Sequence, residues 1–195
     1  MTGERTALKE WAVLVDAMAH GDIVAMVRKG GIREQRAGFS VRHERFLLYP
    51  TYFHEKQRDL APRFIAALDV AQASRPPEGM IELAFVADVA GMWRVLELDR
   101  LQAIGPEHGL AWHAVESRFH YRDRPGVQVI AARVSRLREP VRIPETRRYQ
   151  GCVSWVELDS EVDVDGAIPV LPEEELHSRV ARLDAALGPE RRDGQ

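Results

Sequence analysis

An α+β fold, with a mixed or antiparallel sheet and helices flanking it at both ends, is what this sequence predicts. Three observations carry it. Short apolar runs bounded by Gly, Pro or Asp recur through the middle of the chain, apolar residues at helical spacing mark its first and last segments, and strands do not alternate regularly with helices as βαβ units would require. At 195 residues the chain is long enough for one well-buried core. One domain over residues 1–188 is expected, with two lobes, 1–73 and 80–188, as the alternative and 189–195 as a frayed tail.

Each element has its own warrant. Leu8, Trp11, Ala12, Val15, Met18 and Ala19 follow helical spacing between Thr6, a candidate N-cap, and Gly21, a C-terminal stop. Residues 23–27 then read as a buried strand, and Phe46-Leu47-Leu48-Tyr49 as a second one ended by Pro50. Asp59 caps a predicted helix carrying Leu60, Phe64, Ala67, Leu68 and Ala71, which Pro76-Pro77 follows and breaks. Strands are predicted over 80–88 and 93–96 around Gly91, and a short helix over 99–104. Val115, Ser117, Phe119 and Tyr121 alternate with Glu116, Arg118, His120 and Arg122; this period of two predicts a strand, joined by Asp123-Arg124-Pro125-Gly126 to a partner over 127–134. A strand over 152–158 and an amphipathic helix from about Glu173, with Leu176, Val180, Leu183 and Leu187 on its apolar face, complete the chain.

Charge is segregated along this order. The net charge is −3, yet residues 28–63 and 113–149 each carry nine cations against four carboxylates, while residues 150–195 carry four against eleven. Nearly all the cations are Arg, the side chain suited to bidentate phosphate contacts. Two basic blocks attract polyanions by counterion release, although an acidic end can equally neutralise them within the fold. Cys152 stands alone, which excludes an internal disulfide and a Cys-based zinc site within one chain. No apolar run reaches membrane-spanning length, and a cytoplasmic protein without membrane contact is expected.

Arg28-Lys29-Gly30-Gly31-Ile32 is the sharpest local signal. Two cations at a strand end, beside two glycines that let the backbone approach a ligand, suit capture of phosphate or carboxylate. The competing reading is a hairpin bend with solvated cations. In Tyr49-Pro50-Thr51-Tyr52-Phe53-His54-Glu55, Tyr52 or Phe53 suits stacking on a base and His54 suits a phosphate contact or general base chemistry. Against this, Tyr49 and Phe53 can be core residues and His54 with Glu55 a surface pair. Arg118, His120 and Arg122 are expected in a row on one strand face, with Arg124 at the turn, either following a phosphate backbone or simply solvated. The histidines lack metal-ligand spacing, and the acidic turn at Glu161, Asp163 and Asp165 has Pro172 where a calcium loop needs a carboxylate; no metal and no cofactor are expected.

Lys9-Glu10-Trp11, Arg28-Lys29-Gly30-Gly31-Ile32 and Phe46-Leu47-Leu48-Tyr49-Pro50-Thr51 with His54, then Arg118-Phe119-His120-Tyr121-Arg122, Pro125-Gly126 and Trp155-Val156-Glu157-Leu158, resemble the hallmark segments of a bacterial family of unknown function, number 1802 in the domain-of-unknown-function series (DUF1802). The resemblance spans most of the chain. Some members are joined to a restriction-endonuclease domain, which implies a place near DNA restriction or modification. No acidic pair followed by Glu-x-Lys is recognisable here, so the resemblance favours a recognition or accessory module with a separate nuclease as partner. The opening segment is also similar to PUA-like domains, small barrels that bind RNA or modified DNA bases, and that similarity offers such a barrel as one variant of the sheet, by analogy alone.

These lines converge on a nucleic-acid-binding accessory or recognition module in a restriction or defence context, with DNA or RNA held by Arg28, Lys29, Gly30, Gly31, Tyr52, His54, Arg118, His120 and Arg122. One alternative is a hydrolase or phosphoryl-handling enzyme in which His54 works beside Arg28 and Lys29. Another is a protein-interaction module that uses the acidic final helix.

Overall fold

The computed structural model describes residues 2–29, 43–53, 56–151 and 153–188, and its centre is a seven-stranded mixed sheet. In chain order the elements are β1 (Gly3–Trp11), α1 (Ala12–Ala19), β2 (Ala25–Arg28), β3 (Arg45–Thr51), α2 (Ile65–Ala73), β4 (Met80–Val95), α3 (Trp112–Phe119), β5 (Val127–Pro144), β6 (Trp155–Asp163), β7 (Ile168–Pro169) and α4 (Glu173–Leu187). The sheet runs β2-β5-β4-β3-β1-β6, with β7 on β5. Among the described residues, only β1 and β3 pair in parallel; the other ladders are antiparallel. Strands from before and after residues 74–79 are therefore interleaved within one sheet, β5 and β4 lying between β2 and β3.

The first element corrects the expected helix from Thr6 to His20. Its first half is β1, a strand between β3 and β6 that buries Ala7 on one face and Leu8 on the other. A strand covered on both faces has no reason to alternate, so its apolar residues imitate helical spacing. Helix begins only at Ala12. Seven of the eight residues of α1 are buried, and the helix ends in a Schellman motif, with Gly21 N–H on Met18 O at 3.1 Å and Asp22 N–H on Ala17 O at 2.9 Å. Gly21 has φ +76°, and a Cβ there would stand 2.5 Å from Leu171 Cδ2.

Four further expectations change. Pro50 lies inside β3, opposite Glu10 of β1; the ladder to β4 covers only Arg45–Leu47, so the missing N–H falls where no strand receives it. Residues 80–95 form one strand, because a bulge between Val89 and Gly91 carries the ladder past the glycine, where a Cβ would meet the Trp93 ring at 2.4 Å. The helix expected from Asp59 starts at Ile65, after 3₁₀ turns at Gln57–Asp59 and Pro62–Phe64, and the one expected over 99–104 is reduced to 3₁₀ turns at Leu98–Leu101 and Gly105–Glu107.

The predicted hairpin over 115–134 is absent in its first arm. Residues 112–119 are helix α3, with Ala114, Val115 and Phe119 buried and Ser117 exposed. A one-face helical set of i, i+1 and i+5 accounts for that burial, and an alternating strand does not. The partner of β5 is β4, from Met80 against Pro144 to Val95 against Val127.

Two apolar clusters fill the fold. The larger lies between one sheet face and the helices, and includes Leu8, Phe46, Leu48, Trp93, Val129 and Leu183. A smaller one on the opposite face gathers Ala7, Leu47 and Tyr49 with Ile81, Leu83 and Leu137 from the far halves of β4 and β5 and with Val156 and Leu158 from β6. Strands distant in sheet order share this cluster, so the sheet curls around it as a small barrel does. Helix α4, expected from Glu173, closes the larger side. Its Arg179 donates from Nε to Glu107 Oε2 at 2.6 Å and from Nη2 to Asp22 O at 3.0 Å. Among the described residues no helix is long and apolar enough to cross a membrane.

Candidate nucleic-acid interface

The parallel pair β1 and β3 places Trp11 beside Thr51 at its C-terminal end, and the end of β2 and helix α3 converge on the same edge. Glu10 anchors it. This carboxylate, 2% exposed at its side chain, accepts from Arg28 Nη1 at 2.9 Å through Oε2 and from the Trp11 N–H at 2.8 Å through Oε1. Thr51 Oγ1 donates to Glu10 O at 3.1 Å and ties β3 to the same point. A carboxylate so enclosed needs its cation, and Arg28 supplies it.

Arg118 turns inward from α3. Its Nη1 donates to Val27 O at 2.7 Å and its guanidinium lies 5.4 Å from the centre of the Trp11 ring. Burial pulls its pKa down, the Glu10 carboxylate opposes that fall, Arg28 adds to it and Asp59 opposes it. Lys29 closes the opposite end of the helix. Its ammonium donates to Phe119 O at 2.9 Å, to Gly126 O at 2.6 Å and to Arg124 O, and burial, with Arg124 second, lowers its pKa. The turn it holds is strained: Arg122 and Asp123 have φ of 59° and 55°.

The sites proposed from sequence thus separate into layers. Arg28, Lys29 and Arg118 belong to an inner layer engaged by protein partners; the expected row of Arg118, His120 and Arg122 on one strand face is corrected, because Arg118 lies in helix α3. His120 and Arg122 are exposed beyond the end of α3, with Arg122 5.2 Å from the Tyr121 ring centre. Tyr52 is half-buried against the larger core, and its carbonyl accepts from Gln72 Nε2 at 3.3 Å. Gly30, Gly31 and His54 lie outside the described residues, as does Cys152.

Residues that sequence reasoning missed complete the edge. In the sequence Glu10 stands out only as part of the Lys9-Glu10-Trp11 segment and not as a site residue, because a lone glutamate in a presumed amphipathic helix reads as solvated. His108 is 3% exposed; its Nδ1 accepts from the Leu110 N–H at 3.2 Å, and its Nε2 has no partner among the described residues. Burial, and then the charges of Arg118 and Arg63, push its pKa down to about 4, so the ring is neutral at pH 7. Arg75, which follows α2, stacks 4.8 Å from the Phe53 ring centre and 5.5 Å from that of Tyr52.

A family model described as Domain of unknown function (DUF1802) matches residues 7–182. Curated proteins give no match. Among solved structures, the crystal structure of ASCH from Zymomonas mobilis is similar at 11% identity and a TM-score of 0.44, covering 90% of this chain and 92% of that one. A mutant form of the same Zymomonas mobilis protein is similar at 13% identity and a TM-score of 0.44, covering 92% and 98%.

Proposed function

The chain belongs to the family described as Domain of unknown function (DUF1802), and from that premise we propose that it is a nucleic-acid-binding recognition or accessory module. One observation carries the reading: the two basic blocks, about ninety residues apart in sequence, are joined where Arg118 donates to Val27 O and Lys29 donates to Phe119 O. Cations from both blocks therefore border one edge of the molecule. In this reading Arg28, Lys29 and Arg118 shape the edge, the backbone amides of Gly30 and Gly31 offer hydrogen bonds to phosphate, and the exposed His120 and Arg122 with Arg124 meet phosphates. Tyr52 and His54 contact a base or a further phosphate. Neutralising phosphates with arginines releases counterions, and backbone contacts of this kind position a polyanion without reading its sequence.

The restriction or defence context and a nuclease partner are part of the same proposal, supported by the joined architecture of some family members. Equilibrium binding of labelled DNA and RNA over a salt series tests the core of it. Affinity should fall linearly in log–log form, by about 0.7–0.9 per phosphate contacted, and Arg122→Ala should flatten that slope by about 1. Absence of salt-sensitive binding to either polymer removes the reading.

A further inference from the structure

Phe53 is a large apolar side chain left 55% exposed, directly after the strand that ends beside Trp11. It is not loosely placed. The Arg75 guanidinium lies over its ring at 4.8 Å and over the Tyr52 ring at 5.5 Å. Arg75 is itself fixed at the end of α2, where its N–H donates to Gln72 O at 3.3 Å, while Gln72 Nε2 holds Tyr52 O. Helix and strand thus grip a pair of consecutive aromatics of which the inner, Tyr52, is anchored in the core and the outer faces solvent.

We propose that Phe53, backed by Arg75, is a stacking platform for an unpaired nucleobase, so that the ligand of this edge is a single-stranded nucleic acid; this rests on the nucleic-acid reading above. A planar ring approached by a guanidinium, with about half of the side chain still open to water, gains by covering itself with another π-face. The cation beside it neutralises the phosphate that the base brings along. Within a duplex both faces of each base are already stacked, so the platform discriminates by strandedness and not by sequence. Trp11, whose backbone pairs with Thr51 near the end of β3 and whose ring lies 5.4 Å from the Arg118 guanidinium, links the strand that precedes the platform to the helix that leads into the basic turn.

The experiment compares fluorescein-labelled oligo-dA and oligo-rA of about twelve nucleotides with a hairpin duplex, for the unaltered protein, Phe53→Ala and Phe53→Trp. Single strands should bind more tightly than the duplex, and Phe53→Ala should weaken single-strand binding about ten-fold with little effect on the duplex. Phe53→Trp should keep the affinity, and its indole fluorescence should be quenched by single strands only. The deoxy and ribo arms tell which single strand is preferred. Salt-sensitive binding that is indifferent to Phe53→Ala, or a hairpin bound as tightly as the single strands, overturns the platform and leaves the broader reading intact. Failure of every oligonucleotide to bind overturns both.

Discussion

An ammonium group has three protons to donate, and those of Lys29 meet three carbonyl oxygens. It therefore acts on a ligand only through the turn it holds. Glu10 shows the same economy from the acidic side. Glu10→Gln leaves the Arg28 guanidinium without its carboxylate in a site where both side chains are largely enclosed, and a loss of about 3–5 kcal/mol is expected in urea unfolding. The exposed Arg45–Asp88 pair supplies the control: Asp88→Asn should change stability by less than about 1 kcal/mol. His108 adds a pH dependence. Its folded pKa of about 4 lies below the ordinary 6.5, so its contribution is fully present above pH 6.5 and is lost as pH falls toward 4, where the unfolded chain binds the proton more readily. The loss is on the order of 3 kcal/mol. Denaturant titrations at pH 4–7 should show a steeper decline for the unaltered protein than for His108→Gln.

At the scale of elements, the segment from α3 to β5 combines a buried helix face with a strained connection. Gly126 has φ +117° and its N–H donates to Phe119 O at 3.1 Å, while Arg122 and Asp123 hold positive φ without being glycines. Such a turn persists because Lys29 ties its carbonyls to the end of β2. Lys29→Met should destabilise the protein by about 2 kcal/mol, with faster hydrogen exchange at the Asp123 and Gly126 amides and unchanged exchange in the β4–β5 ladder. A uniform increase across the sheet would show that the lysine supports the whole fold and not the turn. This segment is also where sequence reasoning failed most clearly. Its residues fit a period of two over eight positions, and nothing local shows that the strand pairing with 127–134 is supplied by residues 91–95 and 87–89 through a long ladder.

For the whole molecule, the interleaved strand order means that no half of the chain can complete its own ladders: β4 from the later part lies between β3 from the earlier part and β5. We expect residues 2–188 to unfold as one unit, with near- and far-ultraviolet circular dichroism reporting the same midpoint; two separated midpoints would support two lobes. The curl of the sheet around its smaller core has the same origin, since it joins Leu83 and Leu137 to Val156 and Leu158. From sequence alone came the α+β class, β2, the break after α2, the last helix and the approximate places of the cations and aromatics, because apolar runs, glycines and prolines act over a few residues. Only tertiary structure decided that residues 3–11 are a strand, that 112–119 are a helix, and that Arg28, Lys29 and Arg118 face inward. A side chain's direction depends on which distant carboxylate, carbonyl or ring is brought against it, and Glu10, Phe119 and Trp11 reach those cations only when the sheet has assembled.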